Sequence, residues 1–222
     1  MACARISPMT TTTAADYTWF EERFPDLAEA YCFTLVRGLR PAELLDRLAG
    51  RAEPALTGAY AVVEAAFDLA RASDGGRQLL AMTSVGAWTL LIEPNGYTGV
   101  TEDRALPASA GTRWVSHFVN INGLDAFLWA EDTVRRLWFE PGFPDERWGT
   151  TPDELLDAMH GAGFRFGDAE VAEDDGVAED DDPGTDLSAP AAFALAEHLT
   201  GVAVTPELLE RTTFTCGSVG TR

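Results

Sequence analysis

The sequence predicts an α+β fold, an antiparallel meander sheet of five to six strands with helices packed mainly on one face. Three observations lead there. The runs RWVSHFVNI, LDAFLWA and VRRLWFE follow one another between residues 113 and 140, and separations this short forbid the crossover that a parallel return needs. QLLAMTSVGAWTLLIEP, ending at Pro94, reads as strand, tight turn at Val85-Gly86, and strand. Around these runs stand segments of helical period, PAELLDRLAG before them and APAAFALAEHLTG after.

The elements follow in order. Residues 1–14 are polar and Thr-rich, with little to bury, and read as a disordered leader in which Met9 offers an alternative start. The N-terminus has no continuous apolar run and does not read as a secretory signal. The main α+β domain is expected over residues 15–167. DYTWFEERF sets Tyr17, Phe20 and Phe24 at helical spacing, and Pro25 is expected to end that helix. AYCFTLVR, Ala30 to Arg37, is β-branched and aromatic, a first strand closed by Gly38. Pro41 then opens a helix that buries Leu44, Leu45 and Leu48. GAYAVVEAAFDLARAS tolerates a strand but is assigned as a helix over 58–73, and 102–111 is assigned as a short helix or loop. Thr151-Pro-Asp-Glu154 carries a capping-box signal for a helix reaching Gly161. Residues 168–186 hold ten acids and no arginine, an acidic flexible linker. Residues 187–215 are assigned as a helical pair that docks back onto the domain, since neither helix is long enough to persist alone.

Composition narrows the function. The net charge is −20, and all 16 basic residues are arginine. No nucleic acid is expected as a partner, because phosphates would be repelled, whereas a basic or cationic protein is the natural one. Without lysine, a Walker-type phosphate loop and Schiff-base chemistry are both excluded. No run of apolar residues approaches the ~20 that cross a bilayer, so no membrane partner is expected and the location follows as cytoplasmic. Cys3, Cys32 and Cys216 fit neither a disulfide framework nor a metal motif. No HExxH, GxSxG or Cys-His cluster occurs, and no metal or cofactor is expected.

In WTLLIEPNGY, Trp88, Leu90 and Ile92 alternate against Thr89, Leu91 and Glu93. Pro-Asn-Gly explains why the strand stops there. LWFEPGF repeats the Glu-Pro step, so that Glu93 and Glu140 are candidates for a carboxylate pair at one rim of the sheet. His117, in a strand interior, is the acid-base candidate, with packing as the competing account. His160 and His198 lie near helix ends, where the dipole favours a cation. Asn95 and Trp148 are the binding candidates, Trp148 because DERWGT leaves it partly exposed. The six tryptophans either line a groove or fill the core.

Taken in order, GLRPAELLDRLAG, VGAWTLLIEPNGYTGV, ASAGTRWVSHFVNINGLDAFLWA, WGTTPDELLDAM and AEHLTGVAVTPELLE resemble a family of uncharacterised actinobacterial proteins, small and acidic, known only as a domain of unknown function. The turn Glu131-Asp132-Thr133 departs from the Asp-Gly expected in such proteins. The resemblance implies no catalytic residue. The expectation is therefore a soluble non-enzymatic protein-binding module, in character like proteins that neutralise a partner, as immunity proteins do. Its alternative is a small-ligand-binding protein or metal-independent enzyme with a carboxylate/His site at the sheet rim.

Overall fold

The computed structural model describes residues 12–167 and 187–221. The acidic run 168–186, Cys3 and Met9 lie outside the described residues. In chain order the elements are α1 (Trp19–Arg23), α2 (Pro25–Ala28), β1 (Tyr31–Arg37), α3 (Pro41–Arg47), β2 (Arg51–Thr57), α4 (Ala59–Ala72), β3 (Arg77–Val85), β4 (Trp88–Pro94), α5 (Glu102–Ala108), β5 (Arg113–Val119), β6 (Asp125–Glu131), β7 (Val134–Glu140), β8 (Phe143–Trp148), α6 (Leu156–Ala162), α7 (Ser188–Thr200), α8 (Pro206–Arg211) and β9 (Thr213–Gly220). Single turns of 3-10 helix occupy Ala14–Tyr17 and Thr98–Val100.

The nine strands among the described residues form one sheet, in the order β2-β9-β3-β4-β1-β5-β6-β7-β8, and every pair is antiparallel. Five to six strands were expected. Of the three additions, β2 (RAEPALT) and β8 (FPDERW) lack the apolar alternation that marks a strand, and β9 begins in a run that reads as the end of a helix. A simple meander also fails. Sequential neighbours occur only in the β3–β4 hairpin and from β5 to β8; β1 inserts between β4 and β5, and β9 returns from the C-terminus to insert between β2 and β3. The predicted C-terminal helical pair is thus α7 and α8 followed by a strand belonging to the sheet.

Both faces of the sheet are covered. The larger cluster joins Tyr31, Phe33, Leu90, Ile92, Phe127 and Phe139 to side chains of α1, α2, α4, α6, α7 and α8. The smaller joins Val36, Leu80, Leu91, Trp114 and Leu128 to α3 and α5 on the opposite face. Hence β4 is buried along its whole length, its alternation distributing residues between two interiors rather than between core and water.

Tyr17, Phe20 and Phe24 are buried as expected, and the helix ends before Pro25, which then opens the further short helix α2. Local signals were overruled in two places. Thr151 and Glu154 do not cap a helix, because Arg136 of β7 takes both: its Nε donates to Thr151 Oγ1 at 3.1 Å and its Nη2 to Glu154 at 2.7 Å. The helix starts instead at Leu156. Residues 12–14, expected in the leader, are anchored: Thr12 Oγ1 donates to Glu197 at 2.9 Å and Ala14 is buried. The β6–β7 turn forms without glycine, with Asp132 and Thr133 both at positive φ (47° and 68°). Backbone N–H groups of Gly111 and Thr133 donate to Asp132 Oδ1 and Ser109 Oγ and hold it in that conformation.

Candidate functional site

Glu93 is the penultimate residue of β4, and after Pro94 ends the strand, Asn95 (φ 51°) and Gly96 turn the chain back over the smaller-cluster face. Register fixes the side of the sheet it occupies. Cys32 pairs with Glu93, whereas Phe33 pairs with Ile92 and His117; directly opposed residues share a face. The fully buried carboxylate of Glu93 receives two backbone amides, Thr98 N to Oε2 at 3.0 Å and Gly99 N to Oε1 at 2.9 Å. Gly99 in turn rests on a polar patch of the sheet, where Thr34 and Ser116 hydroxyls lie 2.8 Å apart and Cys32 Sγ is 3.2 Å from Ser116. Its carbonyl accepts from Trp114 Nε1 at 2.8 Å. Glu93 is therefore a clasp that fastens the 97–101 loop to the sheet.

The electrostatics follow from this enclosure. Burial pushes the Glu93 pKa up, and hydrogen bonds from the Thr98 hydroxyl, the two amides and the Cys32 thiol oppose that shift. Burial, then the neighbouring Glu93 charge, pushes the Cys32 thiol up as well, which makes it a poor nucleophile.

His117 faces the other interior. Its ring stacks on Phe33 (5.7 Å, 8°) and meets Phe193 of α7 edge-on at 4.3 Å and Tyr31 at 5.6 Å. Among the described residues its Nδ1 has no hydrogen-bond partner. Burial lowers its pKa to about 3, so it stands neutral at any ordinary pH. Glu93 and His117 thus lie on opposite faces of the sheet and cannot share a substrate.

Glu140 does end β7 at the same rim as Glu93, since both strands run in one direction. Four strand spacings separate β4 from β7, about 19 Å, twice the ~9.5 Å upper limit over which paired carboxylates divide acid and base work. Asn95 is exposed, and its amide donates to Ala30 O at 2.8 Å; it serves the turn. The structure does bring Glu140 and Trp148 together. With Phe143 and Glu146 they line a hollow of about 260 Å³ on the outermost strand. Among the described residues Trp148 is the only exposed tryptophan, at 45 %, its ring 5.2 Å from that of Trp138, while Phe143 is 67 % exposed. Sequence reasoning missed Phe143 and Glu146 because β8 itself was missed; the FEPGF echo around Glu140 was the one available signal.

Among the described residues no three His, Cys, Asp or Glu side chains are grouped to hold a metal ion, and no helix is long and apolar enough to cross a membrane. Residues 10–222 match a family of unknown function (DUF6461), and the chain belongs to that family. No curated protein and no solved structure matches it.

Proposed function

We propose that this member of the family is a non-enzymatic protein-binding module whose docking surface is the β8 edge and whose partner is a basic protein. The observation that carries this is the pair Phe143 and Trp148, exposed on a terminal strand beside Glu140 and Glu146. Among the described residues neither carboxylate makes an ion pair. Aromatic faces and free carboxylates suit arginine and lysine side chains. A terminal strand also offers backbone groups for strand addition, and the register shift between Phe139 and Glu140 leaves residues 144–146 unpaired with β7. The charge of −20 would speed encounter with a cationic partner. A cytoplasmic setting, in which the buried thiols of Cys32 and Cys216 stay reduced, fits this reading. The likeness to partner-neutralising immunity proteins is one of chemical character. The rim-site alternative loses its support once Glu93 and His117 face different interiors.

A photo-crosslinking residue in place of Trp148, compared with one in place of Ala55 on the opposite edge strand, tests the proposal in native extract. Position 148 should capture a basic protein in dilute buffer and lose it near ~0.5 M salt. Equal capture from both positions, or none from 148, would overturn it.

A further inference from the structure

α4 carries two apolar stripes where packing on a sheet requires one. Ala59, Val62, Val63 and Ala66 are buried against the larger cluster. Tyr60 and Phe67, two helical turns apart, point elsewhere and remain 53 % and 47 % exposed. Between this second stripe and α2 lies a hollow of about 240 Å³, with Tyr60, Val63 and Phe67 as apolar walls and Asp26, Glu29 and Glu64 as its polar lining. Three carboxylates and no cation line it. Arg23 of α1 and Arg71 of α4 are engaged elsewhere, Arg23 with Glu210 at 2.6 Å and Arg71 with Asp68. Tyr60 is held in place rather than merely left outside, for its hydroxyl donates to Arg23 O and its ring packs on Phe24 at 5.3 Å.

We infer that this hollow is a docking site for a lysine-bearing segment of a second protein, its ammonium taken between the Tyr60 and Phe67 rings and the surrounding carboxylates. Charge complementarity carries the assignment: aromatic faces attract a desolvating cation, and carboxylates compensate its charge. A second copy of this chain is a poor occupant. It has no lysine and carries the same charge of −20, so close approach would be repulsive. The site is independent of the β8 surface, since α4 packs on β3, six strand spacings from β8, about 29 Å.

Titration of the full chain with amidated hexalysine, followed by amide NMR shifts, tests the inference. The largest shifts should map to residues 26–29 and 60–67. Phe67→Ser and Glu64→Gln, both at exposed positions, should together weaken binding about tenfold with the melting temperature unchanged, while Ile121→Ser, at an exposed apolar position outside both surfaces, leaves affinity as it was. Shifts confined to the acidic run 168–186, or affinity indifferent to the two substitutions, would overturn the site. So would a dimer in sedimentation equilibrium that Phe67→Ser dissolves, because the hollow would then serve self-association.

Discussion

Each face of the sheet buries one of the two acid-base candidates, Glu93 or His117, and the two faces treat them in opposite ways. Glu93 lies in a polar pocket that answers both its oxygens with amides. His117 lies among Tyr31, Phe33 and Phe193, and no described residue answers its Nδ1. One group organises a loop, and the other fills space. The contrast teaches that burial and a displaced pKa do not by themselves mark a catalytic site; what matters is whether a second reactive group shares the cavity. Beside Glu93 stands the Cys32 thiol, which burial holds protonated, and around His117 stand aromatic rings.

Substitution sharpens this contrast, beginning with its largest expected consequence. Glu93→Ala strands two buried amides, each worth about 1–3 kcal/mol, and should destabilise the protein by about 4 kcal/mol in urea unfolding. A loss under ~1 kcal/mol would show that the loop needs no clasp. Next comes Gly99→Ala. A Cβ there would sit 2.0 Å from Thr34 Oγ1, 2.5 Å from Ser116 Oγ and 2.8 Å from Cys32 Sγ, so the loop must lift. About 2–3 kcal/mol should be lost, as for other overpacked interiors. Restoration by Thr34→Ala in the same chain would confirm the cause.

His117→Phe should change stability at neutral pH by less than ~1 kcal/mol, since an aromatic replaces an unpartnered aromatic of similar shape. Its effect lies in acid. The unfolded chain takes up a proton at His117 near pH 6.5, whereas the native state resists until about 3. Native stability from this group is therefore full above that window and declines as pH falls through it, by up to about 1.4 kcal/mol per pH unit. His117→Phe should remove that decline between pH 6.5 and 4; an unchanged profile would mean the ring is not sealed. Glu93 acts with the opposite sign. Its raised pKa makes the native state hold a proton longer than the unfolded chain, so its contribution is present in acid and lost as pH rises through the folded value.

The same contrast shows what was readable beforehand. Alternation in WTLLIEPNGY places Glu93 opposite Trp88, Leu90 and Ile92, and Pro-Asn-Gly marks the stop. That much is a property of adjacent residues. That the far side of β4 is a second interior, with Thr34 and Ser116 waiting for Gly99, depends on β1 inserting between β4 and β5. No local pattern encodes that insertion. Likewise Glu140 and Trp148 stand eight positions apart in the chain and become neighbours through an irregular pairing, whereas the matching Glu-Pro steps at 93 and 140 end four strands apart.

The sequence by itself determined the periodic elements: β1, the β3–β4 hairpin, the β5–β7 run, α3, α4 and the two C-terminal helices, because side-chain alternation, proline and glycine act within a few residues. Tertiary structure alone decided the strand order, the strand character of β2, β8 and β9, and which titratable groups share a cavity. Those outcomes rest on hydrogen bonds to partners distant in the chain, as where Arg51–Thr57 and Arg77–Met82 pair with Thr213–Gly220. A strand of this kind takes its conformation from the neighbour that satisfies its backbone, and the neighbour is chosen only when the whole sheet assembles.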